Sequence, residues 1–277
     1  IMAAWEGYYG DITPSQAHSL IDNNDVSGRI NLNTALKVTS YPDGTLVKSA
    51  DSGVFLIENS LKHPITTPEI FLSYNWRWSE IVTISSGDLK AIKNGPELKM
   101  RDGMLVADSG SVYIVEHGKK RPISSANVFL GLGLSWNNVT YPGDANLNKL
   151  PTGALINSTQ DLTNGMVVTA PGYPVYLIEG GKRRPILDPY IYTSYFRWEE
   201  LQNVSGAVIS KYPVGSTVLP QEGEIIADQG SVYMVSNGKR MPFASGQVYT
   251  GRGFRWDTVI FPSPFVHTLL PKGELIR

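Results

Sequence analysis

The chain has 277 residues and a formal net charge of −1, from 24 lysine and arginine residues against 25 aspartate and glutamate residues. This balance favours neither nucleic acid nor an anionic membrane as a partner. The absence of cysteine excludes disulfides and cysteine-ligated metals. Because no apolar run approaches the ~18–20 residues that span a bilayer, we expect no membrane insertion.

The N-terminal residues 1–42 match the second half of a repeat that the rest of the chain contains in full. Within them, Asn23, Asp25 and Ser27 stand at positions one, three and five of a segment that resembles the calcium loop of EF-hands and dockerins, with Gly28 at position six. Position twelve is Thr34, where those loops carry a carboxylate. An asparagine-rich turn is therefore favoured, and the three oxygen-bearing residues are a weak calcium candidate.

A phrase beginning at Ser111 and ending at Ile123 recurs three more times in recognisable form. The four copies span residues 53–65, 111–123, 174–186 and 231–243. A tryptophan follows each copy, at positions 78, 136, 198 and 256, with spacings of 58, 62 and 58 residues. Such internal repetition indicates a repeat architecture, and it favours a binding or structural scaffold over a single catalytic site.

Each repeat is predicted to contain two strands, a turn and a third strand. In repeat 2, residues 103–107 and 112–116 are rich in β-branched and aromatic residues, as strands are. The dipeptides at the following turn favour a two-residue type I′ hairpin, since both central residues need a positive φ. These dipeptides are His117-Gly118, Gly180-Gly181 and Asn237-Gly238. Repeat 1 has Asn59-Ser60-Leu61 instead, which predicts a turn that is one residue longer or bulged.

A short helix is predicted after the third strand of each repeat. Its N-cap candidates are Thr67, Ser125, Asp188 and Ser245. Pro68 and Pro189 occupy the first helical position in two copies. Glycine or aromatic residues interrupt the pattern before each tryptophan, so we expect about two turns. A further strand is predicted after the tryptophan, and a Pro-x-Gly turn with a strand behind it closes the repeat.

These elements predict a mainly β protein with a single repeat domain over residues 1–277. Its parts are a partial repeat (1–42), repeat 1 (43–100), repeat 2 (101–162), repeat 3 (163–220), repeat 4 (221–270) and a closing strand (271–277). Because the two ends are complementary fragments, we expect a five-bladed β-propeller-like array with a short helix inserted in each unit, whose fifth unit is completed by both termini. The alternative is an open linear array of β-rich repeats.

The repeat pattern resembles tandem modules of secreted or surface-attached bacterial proteins. The residues that carry this resemblance run from Val175 to Glu179 and from Gly181 to Ile186, followed by an aromatic helix, Trp198 and the turn at Pro213. Those modules have no established activity. The resemblance therefore implies an extracellular or cell-surface location and a non-catalytic accessory role.

The arginines that precede three of the tryptophans are predicted ligand contacts, because arginine recognises carboxylates through two hydrogen bonds. They are Arg77, Arg197 and Arg255, and Ser135 takes their place in repeat 2. Tyr74 and Tyr195 are further candidates, as side chains on which a sugar ring could stack. The four tryptophans themselves are predicted to be core anchors that fix helix to sheet.

Basic residues recur in the third strand of each repeat, and Lys120, Arg183 and Arg240 are the ligand candidates among them. In a closed array they would form a ring of positive charge suited to an anionic polymer. The favoured alternative is pairing within the hairpin, for example of Glu116 with Lys119, which is worth only about 0.2–1 kcal/mol.

Enzymatic features are weak, since the four histidines show no metal-ligand spacing and no nucleophile elbow or phosphate loop occurs. We expect no enzyme and no cofactor. The leading hypothesis is an extracellular module that binds a surface or matrix polysaccharide or another cell-envelope component. The alternative is a structural or protein-interaction element of a surface filament or layer, acting through protein partners or self-association. A glycoside-active enzyme with carboxylates from distant repeats is the least favoured.

Overall fold

The computed structural model describes residues 41–108, 110–228 and 230–277. They form a mainly β structure with four small sheets and short helices, as predicted. The calcium candidates Asn23, Asp25 and Ser27 lie outside the described residues, and so does the rest of the partial repeat before residue 41. Closure of the array by the two termini therefore stays a prediction.

Each of the four repeats contributes one sheet. Repeat 1 contains β1 (Leu46–Lys48), β2 (Val54–Glu58), β3 (Leu61–Ile65), α1 (Pro68–Ser73), β4 (Val82–Thr83) and α2 (Ser86–Ala91). Repeat 2 contains β5 (Leu105–Ala107), β6 (Val112–Glu116), β7 (Lys119–Pro122), α3 (Ala126–Gly131) and α4 (Asp144–Leu147). Repeat 3 contains β8 (Val167–Thr169), β9 (Val175–Glu179), β10 (Lys182–Ile186), α5 (Pro189–Tyr195), β11 (Gln202–Asn203) and α6 (Gly206–Ser210). Repeat 4 contains β12 (Ile225–Asp228), β13 (Ser231–Ser236), β14 (Lys239–Pro242), α7 (Gly246–Gly251) and α8 (Pro264–Leu269).

The described chain divides into two compact units. Unit 1 takes residues 41–66, 77–98 and 219–277, and thus the sheets of repeats 1 and 4. Unit 2 takes residues 67–76 and 99–218, and thus helix α1 and the sheets of repeats 2 and 3.

The first three strands of every repeat pair antiparallel in chain order, and the hairpin between the second and third has a two-residue turn. Both turn residues have positive φ in the three predicted type I′ turns. The expectation of a longer turn in repeat 1 is wrong. Glu58 pairs directly with Leu61, and Asn59 and Ser60 adopt φ values of 52° and 61°. Asparagine tolerates this region, so a turn without glycine still forms.

The predicted helix caps are confirmed in all four repeats. The side chains of Thr67, Ser125 and Ser245 accept a hydrogen bond from the backbone N–H three residues later, and Asp188 accepts one from Tyr190. The helices α1, α3, α5 and α7 have six or seven residues, about two turns.

The segment after each tryptophan differs from the predicted strand. A 3₁₀ helix occupies its start, in four equivalent places: Trp78–Glu80, Trp136–Asn138, Trp198–Glu200 and Trp256–Thr258. Only β4 and β11 follow as strands, parallel to β1 and β8, and single bridges at Thr140 and Ile260 replace them in repeats 2 and 4. The short helices α2, α4, α6 and α8 after this segment were not predicted.

The C-terminal residues 271–277, predicted as a closing strand separate from repeat 4, lie beside β14, the third strand of repeat 4. Lys272 bridges Arg240 in parallel, and Ile276 bridges Phe243. Thr152 and Ile156 bridge Lys120 and Ile123 of repeat 2 in the same way. Residues 271–277 therefore adjoin the edge of the repeat 4 sheet through isolated bridges.

Each unit has its own hydrophobic core. The core of unit 2 joins repeats 2 and 3 through fully buried residues such as Ile114, Phe129, Val168 and Ile209. The core of unit 1 includes Val47, Ile57, Met234 and Tyr249. Burial of these side chains provides most of the stability of such small sheets.

Glycine pairs allow two backbones to touch inside each unit. In unit 2, a Cβ added to Gly103 or Gly165 would lie closer than 3.0 Å to the backbone of the facing repeat. Both glycines also have a φ of +84°, which only glycine adopts without strain. Gly44 and Gly223 make the equivalent approach in unit 1. Repeats 2 and 3 therefore meet backbone to backbone at this point, and so do repeats 1 and 4.

Among the described helices, none has the length and apolar character that crossing a membrane requires.

Candidate functional site

The repeat tryptophans are not buried as predicted. Trp78, Trp136 and Trp198 are 54%, 50% and 42% exposed. Each is the first residue of its 3₁₀ helix. The expectation of a core anchor is therefore wrong for these three, although each repeat does hold the tryptophan in a fixed place.

A buried aromatic residue of the preceding helix supports the tryptophan ring. The ring of Trp136 stacks on Phe129 at a centroid distance of 3.9 Å, and that of Trp198 stacks on Tyr192 at 4.3 Å. Phe129 and Tyr192 are 1% exposed. Because one face of each tryptophan is covered in this way, its exposed area belongs to the opposite face and the edge. Two half-exposed indole surfaces thus lie in unit 2.

The predicted arginines cap the same 3₁₀ helices and face solvent. The side chains of Arg77, Arg197 and Arg255 are 51%, 59% and 59% exposed. Arg255 donates two hydrogen bonds to Asp257, at 2.9 Å and 2.6 Å. Their pairing raises the pKa of Arg255 and lowers the pKa of Asp257. Arg197 instead contacts Glu200 through Nε at 3.4 Å.

The predicted basic-strand residues use their charge inside their own repeats. Lys120, Arg183 and Arg240 lie over the rings of Tyr113, Tyr176 and Tyr233 at 5.2–5.4 Å. Such cation–π contacts favour a packed position. Arg183 also donates to the backbone carbonyl of Ile209 at 3.1 Å, and Arg240 pairs with Asp228 at 2.9 Å. These contacts give the three cations a structural role within the sheet.

The two predicted tyrosines are half-buried. Tyr74 stacks on Trp76 at 4.6 Å and donates a hydrogen bond from its hydroxyl to the carbonyl of Lys99. Tyr195 packs against Phe196 at a centroid distance of 5.8 Å. Neither lines the cleft described next.

A cleft of about 280 Å³ opens in unit 2, where α1 and the 3₁₀ helices of repeats 2 and 3 meet. We call it the unit 2 cleft. Its lining includes Ser73, Trp76, Arg101, Asn138, Arg197 and Gln202. The amide of Asn138 donates to the carbonyl of Glu199 at 2.6 Å, which fixes the two 3₁₀ helices beside each other.

An internal ion pair organises the cleft. Arg101 contacts Glu200 at 2.5 Å, with 13% and 18% of the two side chains exposed. The same guanidinium donates from Nε to the carbonyl of Ser73 and lies 4.6 Å from the ring centre of Phe196. The guanidinium of Arg101 therefore has its partners within the protein. Glu200 also accepts a hydrogen bond from Nε of Arg197 at 3.4 Å. The result is a rigid polar wall with Arg197 at its solvent-facing end.

One buried polar atom of the cleft lacks a partner. Gln202 is 8% exposed, and its Oε1 makes no hydrogen bond within the described residues. Buried amide oxygens are nearly always hydrogen-bonded in proteins. The neighbouring wall residue Thr140 occupies the same strand position in repeat 2 as Gln202 in repeat 3.

Arg101, Asn138 and Gln202 were not predicted from the sequence. The available signal was departure from the repeat. Arg101 lies two residues before the turn glycine of its repeat. The residues at the same position in the other repeats are Pro42, Thr163 and Gln221. A lone arginine among uncharged equivalents marks a position that the scaffold itself does not require.

The described residues contain no group of three histidine, aspartate or glutamate side chains placed to hold a metal ion. Burial raises the pKa of Tyr192, whose hydroxyl donates to the carbonyl of Arg197 at 2.8 Å. This phenol therefore stays neutral and positions the backbone of Arg197. The cleft offers hydrogen-bond donors and acceptors of balanced charge beside aromatic surface.

No protein-family profile matches the chain. Protein CgeD of Bacillus subtilis (strain 168) is 24% identical over 193 residues, which cover 66% of this chain and 43% of CgeD. The chain thus spans less than half the length of this relative.

Solved structures resemble the chain only loosely. An intact ESX-5 inner membrane complex aligns with 91% of this chain and 81% of the matched chain, at 13% identity and a TM-score of 0.19. The EccB3 dimer from the ESX-3 core complex aligns with 83% of this chain and 98% of the matched chain, at 12% identity and a TM-score of 0.16. Likeness at this level establishes neither a fold family nor a function for the chain.

Proposed function

We propose that the chain is a non-catalytic extracellular module that binds a surface or matrix polysaccharide through its half-exposed tryptophans. The observation that carries this proposal is the pair Trp136 and Trp198 in unit 2, each stacked on a buried aromatic residue and about half exposed. The C–H face of a pyranose ring is apolar and flat enough to cover such an indole surface. Burial of that apolar area would favour binding. An apolar surface with a few polar side chains at its edge is also the usual lining of a small-ligand site.

Repetition strengthens such a site for a polymer. One shallow contact per repeat binds weakly, but several contacts on one chain raise the effective concentration of the polymer at each site. Repeats 1 to 3 all place a tryptophan at the start of the 3₁₀ helix with more than 40% exposure. In repeat 4, Arg255, which precedes the tryptophan, donates two hydrogen bonds to Asp257. The repeats therefore differ from one another as binding sites.

The basic third strands contribute little to this proposal. Lys120 is 9% exposed, and Arg183 and Arg240 bind groups within their own repeats. Binding therefore does not require an anionic polymer. We also retain, as part of the proposal, the five-bladed, propeller-like arrangement whose fifth unit is completed by both termini, of which residues 271–277 lie beside β14 and residues 1–40 lie outside the described range.

The test is retention by polysaccharide gels in affinity electrophoresis, with the double variant Trp136→Ala, Trp198→Ala. We expect the native protein to be retarded by at least one polysaccharide, and we expect the double variant to lose about tenfold or more in affinity, since two aromatic contacts are removed. Circular dichroism and the melting temperature report whether the variant is folded. The matched control is Tyr141→Ala, because Tyr141 is an aromatic residue of the same unit that is 72% exposed and is not one of the repeat tryptophans.

Two results would contradict the proposal. One is a native protein that no polysaccharide in a broad panel retards. The other is equal loss of retention in the Tyr141→Ala control and in the double tryptophan variant, which would show that exposed aromatic area in general is responsible.

A second candidate is a structural or protein-interaction element of a surface filament or layer. It is favoured by exposed apolar side chains in unit 2, where Leu72, Leu130 and Leu187 are 57%, 57% and 47% exposed. Such side chains offer apolar contacts to a protein partner, as interaction surfaces do where they are contiguous. Light scattering separates the two candidates, because ordered self-association at micromolar concentration favours the second, and a monomer that binds polysaccharide favours the first.

A further inference from the structure

We propose that the unit 2 cleft binds a single uncharged pyranose ring of the polysaccharide, with the Gln202 amide and Thr140 as its selective contacts. This inference rests on the proposed function and assigns to it a ligand class and a defined subsite. Its starting point is Gln202, a residue more than nine-tenths buried whose Oε1 has no partner within the described residues. Gln202 lines the cleft, and rotation of its terminal amide presents the enclosed oxygen to a ligand hydroxyl, which supplies the missing donor.

The size of the cleft limits the ligand. Sites for drug-sized molecules usually have about 300–1,000 Å³, and the unit 2 cleft has about 280 Å³. It is therefore suited to one ring of a polymer rather than to an extended segment. Leu72, Met104 and Leu105 also line it and provide apolar contact for the C–H face of that ring.

The charge of the cleft argues for an uncharged ring. Its lining contains two basic residues, Arg101 and Arg197, and two acidic residues, Glu69 and Glu200. The formal charges cancel, and the Arg101–Glu200 pair neutralises itself at 2.5 Å. An added carboxylate would meet Glu69 and Glu200 as well as Arg197, so the cleft gives no net electrostatic preference for an acidic sugar. Vicinal hydroxyls can instead pair with the planar amide and carboxylate groups.

The scaffold does not require these polar side chains. Gln202 and Thr140 bridge the first strands of their repeats at Val168 and Val106. The equivalent positions in unit 1 are Val82 and Ile260, which bridge Val47 and Ile226. Val82 is 2% exposed and belongs to the core of unit 1. Two repeats thus satisfy the same position with an apolar residue, and the polar choice in unit 2 calls for a reason beyond folding.

The test compares native protein with Gln202→Met by saturation-transfer NMR. The probes are the methyl glycosides of glucose, galactose, mannose and N-acetylglucosamine, together with glucuronate and galacturonate. We expect at least one neutral glycoside to bind the native protein and to bind Gln202→Met about three- to tenfold more weakly, the effect of one lost hydrogen bond. Methionine has a similar shape and removes the unpartnered oxygen, so the melting temperature should be maintained.

The matched control is Gln160→Met, the same substitution at an exposed glutamine of unit 2 that pairs with Lys211 outside the cleft. It should bind the glycosides as the native protein does. Binding of the uronates alone would overturn the inference, and so would neutral-glycoside binding that is equal in Gln202→Met and native protein.

The polymer assay separates this inference from the proposed function. Retention that depends on Trp136 and Trp198 but is unchanged in Gln202→Met would reject the pyranose subsite and leave polysaccharide binding intact. Absence of retention for the native protein would reject the proposed function and the subsite together.

Discussion

Replacement of Gly165 by alanine tests the backbone contact that joins repeats 2 and 3. An alanine Cβ there would overlap the carbonyl group of Asp102 in the facing repeat, and the residue would need a φ of +84°. The left-handed backbone alone costs alanine about 1 kcal/mol after the gain in unfolded-state entropy is subtracted. Forcing two packed segments apart adds about 1–3 kcal/mol. We therefore expect Gly165→Ala to lower the free energy of unfolding by about 3 kcal/mol.

The matched control is Gly172→Ala, in the same unit. Gly172 has a φ of +79°, but a Cβ there would meet no heavy atom within 4 Å. Gly172→Ala should lower the free energy of unfolding only by the conformational cost of the left-handed backbone, about 1 kcal/mol. Urea denaturation followed by tryptophan fluorescence gives both values, provided that the dependence on urea concentration is unchanged. Equal losses in Gly165→Ala and Gly172→Ala would refute the close approach of the two repeats.

Two further predictions concern unit 1. Ser60→Gly should stabilise the protein by about 0.5–1 kcal/mol, because Ser60 has a φ of 61° in the hairpin turn of repeat 1. Gly238→Ser, at the equivalent turn position of repeat 4, should lower the free energy of unfolding by a similar amount in the same urea assay. Stability should also fall as the pH drops below about 6.5, since burial lowers the pKa of His267 in the folded protein while Asp228 at 3.9 Å only partly offsets it. The unfolded chain then binds more protons than the folded one, so the free energy of unfolding rises with pH through this window. His267→Leu, which installs the residue that repeat 2 carries as Leu147, should flatten the dependence, and an unchanged slope would contradict this assignment.

Local features of the fold were predictable because short stretches of sequence determine them. Two-residue turns depend on residues that tolerate positive φ, and helix starts depend on an N-cap side chain. The turn at Asn59-Ser60 was missed because serine is uncommon at positive φ, yet the register Glu58 to Leu61 matches the other repeats. The short helix α2 was also detectable in principle, since Ser85 accepts a hydrogen bond from Asp88 as an ordinary N-cap.

Features that depend on contact between repeats were not predictable from one sequence. The half-exposed state of Trp198 depends on how Tyr192 lies beneath its ring, which no spacing rule specifies. Arg197 was selected for its position before a tryptophan and does line the cleft. Arg101 was not selected, because its partner Glu200 lies 99 residues later in the chain.

The unit 2 cleft arises where repeats 2 and 3 pair and helix α1 of repeat 1 packs beside them, so no repeat forms it alone. The glycine contact between Gly103 and Gly165 brings the backbones of repeats 2 and 3 together, and the Asn138 amide then holds the second 3₁₀ helix at 2.6 Å. Unit 1 has the same kind of glycine contact at Gly44 and Gly223. The positions in unit 1 that correspond to Gln202 and Thr140 are nevertheless apolar. The glycine contact therefore determines how the backbones approach, and the residues at these positions determine the polarity of the surface beside it. On the proposed function, one pair of repeats uses these wall positions for recognition, whereas the other pair fills them with apolar residues on the same glycine framework.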